Sequence, residues 1–238
     1  MAGALSNPQS LNRYAYVLNN PLKFIDPTGM TVEWADSEKK KKKDEAEART
    51  NAQRKYENHI AKLLASKNKE ERARGERLQA TYQQLKDSKA VFRVVKEDAG
   101  DSSSGELKYN GAVFIVSLKG NANEYGAIDI NQKLAHEFEH GRQVLDRELS
   151  FHNYRPPDWK AWALDRTDEA KAFAAGFDAT PVAPDQSSFL NGMRQAIRSG
   201  GIEAGVDFLG RSTTKYRNLE RGPINVTHRS PAIYEVPK

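Results

Sequence analysis

One short stretch combines residue types and spacing suited to metal chemistry: His136, Glu137, Phe138, Glu139 and His140 spell His-Glu-x-x-His. On a helix His136 and His140 stand one turn apart on one face, so both imidazoles can reach a single cation. Glu137, beside His136, is placed to take a proton from a water held there, as a general base. The chain has no cysteine. That excludes a thiolate ligand, a disulfide scaffold and a cysteine nucleophile, and leaves imidazole and carboxylate as its strong metal ligands. The expected ion is Zn2+, which in catalytic sites takes three protein ligands and keeps a fourth position for water.

The third ligand is expected to be Glu169. In a helix over 167–177, Ala170, Phe173, Ala174 and Phe177 form the apolar face and Glu169 lies on its edge. Asp168 is rotated away from that face, and Asp165 precedes the helix. A carboxylate beside a buried stripe needs a partner, and a cation supplies one; an acid favoured by the helix N-terminus is the plainer alternative. His152, in the loop 12 residues after His140, is the rival ligand. A donor for the oxyanion formed at a carbonyl is sought in the same loop among His152, Tyr154 and Arg155, with Tyr154 preferred. Glu139 reads as a solvated charge and Arg142 as a group that could orient a ligand.

The elements that must hold these residues follow from periodicity. A helix is expected over 131–149, with Asp129 or Asn131 as its cap and Leu134, Phe138 and Leu145 turned to the core. Residues 90–96 and 112–118 are β-branched and aromatic runs of strand length around a polar loop at 98–105. Residues 125–130 are a third extended candidate, an edge to which a substrate strand could add. After Pro156 and Pro157 come helices over 167–177 and 187–198, then a tail from Ser212 that is irregular or strand-like. Upstream, residues 36–88 read as a charged helical hairpin. Its stripes are Tyr56, Ile60, Leu63, Leu64 and then Leu78, Tyr82, Leu85. A break falls at Ser66–Asn68, and Asn68 with Glu71 forms a capping-box variant.

The charge distribution bears on the partner. The chain has 238 residues and a net charge of +5. Residues 31–90 hold 16 basic against 11 acidic groups, and the other 178 residues hold 21 of each. The excess thus lies in the hairpin and its run Lys39–Lys43, which has no interleaved aromatic to stack on bases. A phosphodiester-cutting cleft should gather cations at the site, so nucleic acid is not the expected partner. No apolar run is long enough to span a membrane, no Sec-type signal peptide is legible, and there is no internal repeat.

Two resemblances add to this reading. The segment from Asn7 to Gly29, NPQSLNRYAYVLNNPLKFIDPTG, resembles the end of the core domain of Rhs (rearrangement hotspot) proteins. In that family the segment closes a repeat-built shell and precedes a variable toxin domain released by cleavage near Asp-Pro-x-Gly. The resemblance implies that residues 1–30 are the remnant of the shell's end and that a C-terminal toxin follows. It also implies export within an Rhs protein through a specialised secretion system, delivery into a target cell, and a cognate immunity protein. Second, His136, Glu137 and His140, with Glu169, are similar to the gluzincin branch of the zincin metallopeptidases. Gly141, Arg142 and Gln143 follow His140 without the further Gly-x-x-His of metzincins.

The expected fold class is α+β. A basic helical segment at 31–89 precedes a zincin-like domain at 90–238, in which a small sheet is followed by the active-site helix and a second helix bearing Glu169. The expected function is a toxin acting as a zinc-dependent endopeptidase on a target-cell protein. The alternatives are an Rhs-associated nuclease and a non-enzymatic binding module with structural histidines.

Overall fold

The computed structural model describes residues 32–36, 42–97, 106–109, 114–119, 129–149, 159–160, 165–180 and 187–223. In chain order the elements are β1 (Val32–Asp36), α1 (Lys42–Leu64), α2 (Lys69–Asp87), β2 (Phe92–Glu97), β3 (Glu106–Tyr109), β4 (Phe114–Lys119), α3 (Ile130–Leu145), β5 (Trp159–Lys160), α4 (Arg166–Ala179), α5 (Ser188–Arg211) and α6 (Thr214–Arg217). Helix predominates, and the strands form one mixed sheet in the order β1-β2-β4-β3-β5. β1, β2 and β4 run parallel, while β3 pairs antiparallel with both β4 and β5.

The helical hairpin is present, and its apolar stripes do what their spacing implies. Tyr56, Ile60, Leu63, Leu78, Tyr82 and Leu85 are all buried. Asn68 caps α2, its side chain accepting from the amides of Glu70 and Glu71 at 2.8 and 3.4 Å. Glu71 does not complete a reciprocal box. Its carboxylate accepts instead from the Ser66 hydroxyl, and Arg72 donates to the carbonyls of Ser66 and Lys67 at 2.8 and 3.1 Å, closing the end of α1.

The division expected at residue 89 is not a boundary between packed units. Parallel strands need a long crossover between them, and the α1–α2 hairpin is the crossover from β1 to β2. Its buried residues share one core with Val32, Phe92, Val94 and Val116 of the sheet and with Leu134 and Phe138 of α3. The rings of Tyr56 and Tyr82 meet Phe138 at centroid distances of 5.4 and 5.6 Å. Phe138→Ala is therefore expected to cost about 3–5 kcal/mol, read as a lower urea midpoint with one transition for hairpin and α3 signals together. Two separate transitions would contradict a shared core.

A second core lies beyond α4. Ala170 and Phe173 pack with Leu190, Met193, Val206, Leu209 and Tyr216 of α5 and α6. The helix expected to end near Arg198 continues to Arg211 through a turn at Gly200 and Gly201. Gly201 has φ 69° and ψ −161°, a conformation essentially restricted to glycine. Phe208 lies against Gly192 and Ile197 against Gly205, so the two arms of α5 fold back along each other. The tail after Ser212 begins with helix α6 and then crosses the start of α4. There the amide of Arg166 donates to the Glu220 carbonyl at 2.8 Å, and the Thr167 hydroxyl donates to the Arg221 carbonyl at 3.1 Å.

The strands expected at 90–96 and 112–118 are β2 and β4. Ile130, expected in an extended segment, opens α3 instead, and residues 125–128 lie outside the described residues. Among the described residues no helix is long and apolar enough to cross a membrane.

Candidate metal centre

The site forms where α3 and α4 cross, at the seam between the two cores. Asp129 caps α3 by accepting from the Asn131 amide at 2.8 Å. Leu134 and Phe138 are fully buried beneath the helix. That anchoring turns His136 and His140 towards α4. Asp165 caps α4, accepting from the amides of Thr167 and Asp168 at 2.7 and 3.1 Å. Gly176 lets the helices approach closely, because a Cβ there would sit 3.1 Å from the Gln132 carbonyl and 3.8 Å from His136 Cβ. The other end of α4 is held by α2: Arg77 forms a fork on the Asp178 carboxylate with both distances 2.7 Å, and Arg74 donates to the Asp178 carbonyl at 2.9 Å.

His136, His140 and Glu169 come together, each offering a ligand atom within 4.8 Å of the others. His136 Nε2 lies 3.7 Å from Glu169 Oε2, with the two side chains 19% and 12% exposed. That is too long for a charge-assisted hydrogen bond, which closes to about 2.7–2.9 Å. It is close to the roughly 3.4 Å separating two ligands of one tetrahedral zinc with bonds of about 2.0–2.1 Å. Two imidazoles and one carboxylate are also a donor set that zinc accepts. The rings of His136 and His140 stand 4.9 Å apart and nearly perpendicular, and Phe173 packs edge-on against His136 at 4.8 Å. Burial alone would lower the His140 pKa, but the charges of Glu169 and Glu137, the contact with Gln143 and the charge of Asp168 outweigh it, and the net shift is upward. Glu137 is 5% exposed on the same helix.

Other expectations fare differently. Asp168, read as turned away, is buried at 3% exposure, and its Oδ2 has no hydrogen-bond partner among the described residues. It sits among Asp165, His140, Lys171 and Glu148, and its backbone carbonyl accepts from the buried Gln143 of α3 at 2.9 Å. Burial, then the neighbouring Asp165, push its pKa up to about 7 against the opposing pull of His140 and Lys171. In the metal-free protein the folded state therefore binds this proton more tightly than the unfolded chain. The resulting strain is absent below about pH 4, grows as pH rises, and is complete above about pH 7. Asp168→Asn is accordingly expected to stabilise the metal-free protein by roughly 1–3 kcal/mol at pH 8, and to lose that gain by pH 4. Urea midpoints at the two pH values check this.

Glu139, read as a solvated charge, is 8% exposed and paired with Arg142 at 2.7 Å. Arg142 also pairs with Asp146, and with Glu148 at 3.2 Å. Burial opposes its charge, but these carboxylates more than compensate and raise its pKa. It thus braces the end of α3 rather than facing the ligand cluster. Tyr154, His152 and Arg155 lie outside the described residues, as do residues 1–30. A groove of about 820 Å³ opens on other faces of α3 and α4, lined among others by Arg77, Ala135, Glu139, Arg142, Ala174 and Asp178. None of the three converging residues lines it. Arg77 and Arg142 are engaged there with Asp178 and Glu139, and Arg74, Lys171, Arg194 and Arg198 also line it.

One residue that carries an obvious signal was not singled out from sequence. Gln143, three positions after His140 and so on its face, is fully buried and touches the His140 ring. Compared with protein-family models, curated proteins and solved structures, the chain matches none of them.

Proposed function

We propose that this chain is a zinc-dependent endopeptidase of zincin-like α+β fold, carried as the toxin of an Rhs protein and delivered into a target cell. The observation that carries the metal reading is the convergence of His136, His140 and Glu169 from two helices, with Glu137 beside His136. The three side chains would hold Zn2+, which when bound supplies a positive charge that polarises water and a substrate carbonyl. Glu137 takes the proton of the attacking water and delivers it to the leaving amine. Tyr154 is the proposed donor to the oxyanion. The toxin reading rests on the Asn7–Gly29 resemblance. With it come export within the Rhs shell, a protein substrate in the target cell and a cognate immunity protein as partners. The balance of charge outside residues 31–90 favours a peptide over a nucleic-acid substrate. The test is to incubate zinc-loaded protein with a target-cell lysate and sequence new peptide termini. New termini that disappear with chelator are expected; nicked nucleic acid with no new termini would point to the nuclease instead.

A further inference from the structure

We infer that Gln143 is a positioning residue that fixes the tautomer of His140 and ties it to the backbone beside Glu169. The inference rests on the metal reading above for its purpose, but not for its geometry. Gln143 is fully buried, so each end of its amide must find a protein partner rather than water. One end lies 2.9 Å from the carbonyl oxygen of Asp168, and the other 2.8 Å from His140 Nδ1. A backbone carbonyl can only accept, so the amide Nε2 must face Asp168 and donate to it. The opposite orientation would set two oxygens against each other in a dry interior. Oε1 is thereby turned to His140 and can only accept, which requires a proton on His140 Nδ1. In the neutral ring the lone pair is then left on Nε2.

One carbonyl on α4 thus dictates which nitrogen of an α3 histidine is free to bind a cation. The same amide acts as a spacer. Asp168 is the residue before Glu169, so the two hydrogen bonds join the His140 ring to the peptide chain that carries the third ligand. The spacing of the two ligands is set by a short rigid group rather than by helix packing alone. Glutamate at this position would still accept from His140 but would repel the Asp168 carbonyl; leucine would do neither.

The test reads the histidine ring directly in the full chain. Nitrogen-15 NMR of the metal-free protein, at a pH where His140 is neutral, should show His140 protonated at Nδ1. In Gln143→Leu that signature should give way to a tautomer mixture, and in Gln143→Glu it should persist, with His136 unchanged throughout. Calorimetric titration with zinc alone should show about 10–100-fold weaker binding in Gln143→Leu, the usual effect of removing a group that orients a ligand. A wild-type His140 protonated at Nε2 would overturn the inference without any variant, even if Gln143→Leu fails to fold. So would a Gln143→Leu protein that keeps both the Nδ1 signature and wild-type zinc affinity. Absence of zinc binding in the wild type together with the Nδ1 signature would sink the metal reading and leave the Gln143 geometry standing.

Discussion

Glu137→Gln should leave the folded protein able to bind zinc while its peptidase activity falls by about 10²–10⁴-fold. The separation of these two readouts is the point of the substitution. Glu137 is not in the group of atoms that converge within 4.8 Å, so removing its charge takes away no ligand. It is buried at 5% exposure, and glutamine keeps its shape, so the packing of α3 should survive. What is lost is the base that accepts the proton of the attacking water. Matched zinc titrations and peptide-cleavage assays check both statements. Full activity in Glu137→Gln would mean that a different group handles the proton.

His136→Ala and Glu169→Ala should each weaken zinc binding by more than about 100-fold, beyond what loss of an orienting group alone brings, while Asp168→Ala should change it far less. The contrast matters because Asp168 and Glu169 are adjacent, and both carboxylates act on His140. Only Glu169 projects to the ligand cluster, 3.7 Å from His136 Nε2. Asp168 is buried and contributes its backbone carbonyl to Gln143. Calorimetry with zinc on the three variants orders them. Weaker binding in Asp168→Ala than in Glu169→Ala would reassign the third ligand.

How much of this could be read in advance depends on how local each feature is. His136, Glu137 and His140 sit in one turn of helix, where spacing alone sets direction, and the same 3.6-residue period gave Glu169 its place beside Phe173 and Ala170. The hairpin was equally legible from its two stripes and from the Asn68 cap. Several misreadings have a non-local part. Glu139 looks solvent-facing on a helical wheel, yet Thr81 of α2 packs 3.5 Å from its carboxylate and Arg142 closes over it. Asp168 lies against α3, where Gln143, 25 positions earlier, donates to its carbonyl. The strands β1, β3 and β5 have five, four and two residues. At that length it is pairing that makes a strand, and no period is long enough to announce one. Finally, the helix expected over 187–198 is only the first arm of α5, and the second arm beyond the turn at Gly200 and Gly201 is visible only once Phe208 is seen against Gly192.

The central claim is that one zinc ion is held by two imidazoles and a carboxylate. Zinc-edge X-ray absorption on protein loaded with one equivalent tests it most directly. The expected spectrum has nitrogen and oxygen neighbours at about 2.0–2.1 Å with the outer-shell scattering of two imidazoles, reduced to one in His136→Ala. A shell of oxygens alone, unchanged by His136→Ala, would contradict it.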